Sequence, residues 1–180
     1  YPAEVVNRYI IQPLLNDLAE RRWSTLDREG ELLFFLAYLR NKLGERFLHH
    51  RWDHPGPRLL MAGLPGEGDD LELLTLALAI QDRGFEVIPL GADLPLPLLP
   101  RAVADAAPAG LVLVGGPESV AAVQADGLPG LARQLTIPVF LAGGAGEDLD
   151  PRLAEAGIQS LSLELPEGLA PLDARLKAES

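Results

Sequence analysis

Apolar residues fall along this chain in two rhythms. Over residues 3 to 22, Val5, Val6, Tyr9, Ile10, Leu14, Leu15 and Leu18 recur at the spacing of one helical face, and Pro13 marks a kink or a restart. Trp23 to Asp27 reads as a break. From Glu31 to about His49, Leu32, Leu33, Phe35, Leu36, Leu39, Leu43 and Phe47 form a second, broader apolar face. Two such helices make half of a four-helix bundle, so the expectation is a partial bundle whose remaining helices lie upstream. The Pro/Gly stretch His54-Pro55-Gly56-Pro57 then separates a helical segment, residues 1 to 54, from a second domain, residues 55 to 180.

In the second domain the rhythm changes. Arg58 to Leu64 is a continuous apolar run that stops at Pro65-Gly66, which suits a strand buried on both faces. Asp69 and Asp70 stand where a helix would begin, Leu71, Leu74, Leu78 and Gln81 keep helical spacing, and Gly84 closes that helix as a C-cap. Phe85 to Leu90 is a second strand. Helices are predicted over Pro95 to Ala107, over Ser119 to Gln134 with an interruption near Gly127-Leu128-Pro129-Gly130, and over Asp150 to Ala156. Strands are predicted over Gly110 to Gly115, Pro138 to Ala142 and Gln159 to Glu164. A last helix should turn Leu169, Leu172 and Leu176 toward the sheet. Five strands alternating with helices form an α/β fold with a five-stranded parallel sheet, the doubly wound flavodoxin-like pattern.

Charge narrows the possible partners. The 180 residues carry a net charge of -11, unevenly spread. Residues 1 to 54 hold eight basic and eight acidic side chains, whereas residues 55 to 180 hold seven and eighteen. An acidic α/β half repels phosphate backbones, so any DNA contact is expected from a domain upstream. The acidity also serves plain solubility. There is no cysteine, which excludes disulfides and thiolate chemistry and fits a cytoplasmic protein. No run is long enough to span a membrane and no signal peptide is visible, so no membrane partner is expected. The chain opens on Tyr1, and further sequence is expected before it.

Two motifs carry a family resemblance. Pro65-Gly66-Glu67 follows the first strand, and Leu90-Gly91-Ala92-Asp93-Leu94-Pro95 follows the second. Together they resemble the P-G-E-x-H-x-x-G and L-G-A-D-x-P motifs of cobalamin (vitamin B12) binding domains, most of all the sensor half of light- and B12-dependent transcriptional regulators of the MerR type. The resemblance extends over nearly the whole chain. It implies a B12-binding, Rossmann-like domain preceded by a helical cap, with pocket positions at Trp23, Leu33, Phe34, Glu67, Asp69, Gly91, Asp93, Gly115, Gly143 and Gly144.

This chain departs from the family pattern where the family holds cobalt. The position of the lower axial histidine is Asp69, and that of the motif's closing glycine is Glu72. A carboxylate does not replace a neutral imidazole donor in kind. The family cap carries a tryptophan, then nine residues, then Glu-His. Trp23 takes the place of the tryptophan, but residues 32 to 34 read Leu-Leu-Phe. The Leu-Ser pair after the third strand is replaced by Leu113-Val114-Gly115. The Gly-Gly pair after the fourth strand is kept as Gly143-Gly144, and in the family such glycines let the nucleotide tail of the corrinoid approach the backbone. Leu32, Leu33, Phe34 and Phe35 suit core packing between bundle and sheet, or a flat apolar ligand, better than a polar metal pocket.

Two further clusters each admit a plain reading and a chemical one. His49, His50 and His54 sit with Arg51 and Trp52 at the domain boundary. They read first as a solvated helix end at the negative end of the dipole. Were haem bound between the domains, as in a related group of domains, His49 and His50 would be its first candidate ligands. Glu67, Asp69, Asp70 and Glu72 read first as acids at a helix N-terminus and second as a divalent cation site. No nucleophile-base pair, P-loop or G-x-G-x-x-G is present, and Gly63 to Gly68 fails that last pattern.

The resemblance thus implies a non-enzymatic effector domain of a MerR-like transcriptional regulator, degenerate for histidine-ligated cobalamin. It would act as a dimer or tetramer or through a protein partner. No cofactor is assigned, although cobalamin or another tetrapyrrole remains compatible with the fold. The alternatives are a sensor that binds haem, a bilin or base-on cobalamin between bundle and sheet, and, third, a corrinoid carrier subunit.

Overall fold

A computed structural model describes Val5, Pro13 and residues 26–48, 56–66, 70–123, 127–147, 149–162 and 167–176. Side chains are described from Phe34 onward in the first long helix, and not for residues 145 and 147. In chain order the elements are α1 (Leu26–Leu48), β1 (Arg58–Gly63), α2 (Leu71–Asp82), β2 (Glu86–Pro89), a 3-10 turn (Leu96–Leu98), α3 (Leu99–Ala106), β3 (Gly110–Val114), α4 (Pro117–Val123), α5 (Gly127–Gln134), β4 (Val139–Ala142), α6 (Gly144–Glu147), α7 (Pro151–Glu155), β5 (Ile158–Ser160), a second 3-10 turn (Glu167–Leu169) and α8 (Ala170–Leu176).

The five strands form one sheet in the order β2-β1-β3-β4-β5, with every pairing parallel. This is the flavodoxin-like α/β arrangement expected from the apolar runs. Alternate strand residues point to opposite faces. Leu59 and Met61 of β1, Val112 of β3 and Phe140 of β4 therefore join a core with Leu73, Leu76 and Ile80 of α2 and Leu172 and Leu176 of α8. Leu60 and Ala62, Leu111 and Leu113, and Val139 and Leu141 face the other way, onto Leu99 of α3, Leu128 and Leu131 of α5 and Leu153 of α7. Each fully buried side chain of this size contributes about 1.5–3 kcal/mol, so a strand buried on both faces is held far more firmly than its length suggests.

A third, smaller cluster attaches α1. Leu36, Leu39, Leu43 and Phe47 pack against Leu71, Leu74 and Leu78 on the outer side of α2, and Arg40 pairs with Asp70 at the start of α2. α2 is also tied to α8, where Arg83 donates to the Asp173 carboxylate.

Several local details differ from the sequence expectation. α1 begins at Leu26, inside the predicted break. Its apolar stripe is narrower than the composition suggests. Phe34 is 77% exposed and Phe35 36% exposed, so these two are not core residues between bundle and sheet. Among the described side chains, the face that packs runs at helical spacing from Leu36 to Phe47. The stretch from Ser119 to Gln134 falls into two helices, α4 and α5, as expected, and Gly127-Leu128-Pro129-Gly130 forms the first turn of α5. A proline is tolerated there because first-turn N–H groups lack intrahelical partners, while Leu128 and Leu131 are buried and anchor the helix. The last strand is short, ending at Ser160, and α6 starts directly at Gly144. The predicted helix over residues 3 to 22, the break at Trp23 and the linker residues His54 and Pro55 lie outside the described residues apart from Val5 and Pro13.

Two glycines make the packing testable. A Cβ on Gly146 would lie 2.6 Å from both the Leu141 and the Leu161 carbonyl oxygens, whereas nothing lies within 4 Å of the same atom on Gly44 in α1. Gly146→Ala should lower unfolding free energy in urea by about 1–3 kcal/mol, the usual cost of overpacking. Gly44→Ala should raise it by about 0.5–1 kcal/mol by restricting the unfolded chain.

Candidate functional site

The loops that leave the carboxyl ends of the strands converge on one edge of the sheet, the edge at which open α/β sheets take ligands. The loop after β1 starts with Leu64, whose N–H donates to the Val114 carbonyl at 2.9 Å, and turns away through Gly66 at φ +92°. The loop after β2 runs through Gly91 at φ +94° and Asp93 at φ +56°. A left-handed aspartate is uncommon, and it persists where its short side chain finds a nearby donor. Here the Asp93 carboxylate accepts the Gly66 N–H at 2.9 Å. The Gly63 N–H donates to the Gly91 carbonyl at 2.9 Å and the Leu94 N–H to the Gly63 carbonyl at 3.2 Å. A Cβ on Gly63 would come within 2.8 Å of the Ala92 Cα, so only glycine lets the two loops lie this close.

A second corner forms after β3 and β4. Gly115 donates its N–H to the Ala142 carbonyl at 3.1 Å and is covered by Leu64, whose side chain would lie 2.8 Å from an added Cβ. Gly143, buried and at φ +86°, backs onto it. A Cβ on Gly143 would sit 2.7 Å from the Gly115 carbonyl oxygen and 2.9 Å from Glu72 Oε1. Gly144 follows against Pro117, whose Cδ would lie 3.2 Å from an added Cβ.

Glu72 reaches this corner from the first turn of α2. Asp70, one turn-start earlier, is the N-cap residue of α2, but its carboxylate goes to Arg40 of α1 and makes no cap bond to the helix.

The structure brings Gly91 and Asp93 together with Gly66, and Gly115, Gly143 and Gly144 together with Glu72. Phe34 stands exposed on α1. Leu33 lies in α1 with its side chain outside the described set, and Trp23, Glu67, Asp69, His49, His50 and His54 lie outside the described residues altogether. Among the described residues, no group of three or more His, Asp or Glu is placed to hold a metal ion, and no helix is long and apolar enough to cross a membrane.

One feature escapes sequence reasoning. An open cavity of about 1030 Å³ lies beside the Asp93 turn, walled by Pro65, Pro95, Leu96, Pro97, Pro100 and Leu131 among others. The prolines at 95, 97 and 100 are its only sequence signal, and they read more simply as the start of α3.

No protein-family model matches the chain, and no curated protein matches it. Among solved structures, it is similar to a cobalamin-binding protein from Desulfitobacterium hafniense DCB-2, at 19% identity and a TM-score of 0.48. The alignment covers 66% of this chain and 58% of that one.

The Asp93 turn should respond to charge and backbone separately. Asp93→Ala loses the bond to Gly66 and puts a Cβ-bearing residue with no local acceptor at positive φ, at an expected cost of about 1–3 kcal/mol. Asp93→Asn keeps an acceptor and the tolerance for positive φ, and should cost less than half as much. Thermal melting of both variants checks the order.

Proposed function

We propose that this chain is the effector half of a MerR-like transcriptional regulator, built on a corrinoid-type scaffold but degenerate for histidine-ligated cobalamin. It works through contacts between copies of itself or with a protein partner, and DNA contact belongs to a domain outside the present sequence. The observation that carries this reading is the bond between Gly66 and Asp93. It joins, at the ligand edge of a flavodoxin-like sheet, the same two motif loops on which the family resemblance rests. Against that scaffold stand an aspartate at position 69 and an acidic α/β half, which favour neither an imidazole-ligated metal nor a phosphate backbone. Phe34, Tyr38 and Leu48 leave apolar surface on α1, at 77%, 53% and 80% exposure, which suits association of helical segments. The second reading, haem, a bilin or base-on cobalamin held between bundle and sheet, draws on the same aromatic residues of α1, and the test separates the two.

Purified protein is mixed with adenosylcobalamin, hydroxocobalamin or haemin, passed through gel filtration with light scattering, and its absorption spectrum recorded. The expected result is elution as a dimer or larger, without a coloured ligand. Co-elution of haemin with a sharp Soret band would favour the second reading. Stoichiometric retention of hydroxocobalamin would overturn the reading of a ligand-free contact module and show that the scaffold holds the corrin without a histidine at position 69.

A further inference from the structure

The glycine corner after β3 and β4 is closed by the protein itself. Gly115 and Gly143 carry no side chains, and two neighbours take the room this leaves over Gly143. The carbonyl oxygen of Gly115 stands on one side and the Glu72 carboxylate on the other, at 2.7 Å and 2.9 Å from where a Cβ would be. A corrinoid whose nucleotide tail runs along such glycines brings a phosphodiester, an anion with strong acceptor oxygens. Here it would meet a second anion and a carbonyl acceptor, with no donor from either. Glu72 is half-buried, so that repulsion is screened less than it would be on an open surface. These two groups disfavour a tail-inserted corrinoid at Gly143.

We infer that Glu72 is the specificity-determining residue of this corner: its carboxylate fills the cleft between the β3 and β4 loops and excludes phosphodiester-bearing ligands from it. This inference rests on the reading of a degenerate corrinoid-type scaffold and names the residue that closes it. Glu72 also lies in the first turn of α2, where an acid favours the positive end of the helix dipole. A purely helical role predicts a change in melting temperature on substitution and no change in what the cleft admits. Occupation of the cleft predicts a change in ligand choice.

Two probes separate these roles. Hydroxocobalamin carries the nucleotide tail, and cobinamide has the same corrin without it. Equilibrium dialysis and visible absorption are compared for the native chain and for Glu72→Gln, Glu72→Ala and Glu72→Gly, with melting curves recorded for each. Glu72→Ala and Glu72→Gly should tighten hydroxocobalamin binding by at least about tenfold and leave cobinamide unchanged. Glu72→Gln, which removes the charge but keeps the volume, should give a smaller gain in the same direction. Variants that fold but leave hydroxocobalamin where it was, or that shift both probes equally, overturn the role of Glu72. If the native chain remains unliganded in that case, the degenerate-scaffold reading stands. A native chain that already binds hydroxocobalamin more tightly than cobinamide defeats both.

Discussion

The burial of β1 and β3 on both faces is the constraint from which the rest of the molecule follows. Leu59 and Met61 enter one core and Leu60 and Ala62 the other, so β1 is locked against both helix layers at once. A strand held this way cannot slip by one residue without exchanging its two faces, and a slip would also break the parallel register that pairs Gly63 with Val114. The ligand edge inherits that rigidity. Gly63 and Leu64 extend β1 directly into the loop bonds with Gly91 and Val114, so the Asp93 turn and the Gly115 corner are both fixed to the sheet through the end of β1.

This explains what is legible in the residues. A doubly buried parallel strand reads as an unbroken apolar run, and Arg58–Gly63, Gly110–Val114 and Val139–Ala142 all appear as such runs. The left-handed Gly84, at φ +90° just past the Arg83 C-cap of α2, and the helix start at Asp150, whose carboxylate accepts the Arg152 N–H at 2.8 Å, follow from local chemistry that a sequence carries openly. What is not legible depends on tertiary choice. Leu26 to Phe35 are as apolar and as helical as the residues that follow, yet Phe34 and Phe35 are exposed while Leu43 is buried, because the partner surface on α2 begins at Leu71. Gly127 and Gly130 look like breakers, but buried Leu128 and Leu131 hold them in a helix. The site is legible only in part. Asp93 and the glycines stand out by motif, whereas the direction taken by Glu72 depends on how α2 meets the β4 loop.

That direction gives the first turn of α2 two opposite commitments. Asp70 and Leu71 face α1, through Arg40 and the Leu43 cluster, while Glu72 faces the corner at Gly143. Neighbouring helix positions point about 100° apart, so one short turn addresses both the helical segment and the cleft. If Glu72 fills the cleft, a group entering it displaces Glu72, and Glu72 shares its turn with the residues that hold α1. Side-chain rotation costs little, but a shift of the turn disturbs an ion pair and a buried leucine together, and packed interfaces of this kind respond by switching between arrangements rather than by bending continuously. The same short segment therefore joins the ligand edge to the surface of α1. A substitution at Glu72 that alters ligand choice without altering how α1 packs would show that the cleft and α1 are independent, whereas a change in both would place a coupling in this turn.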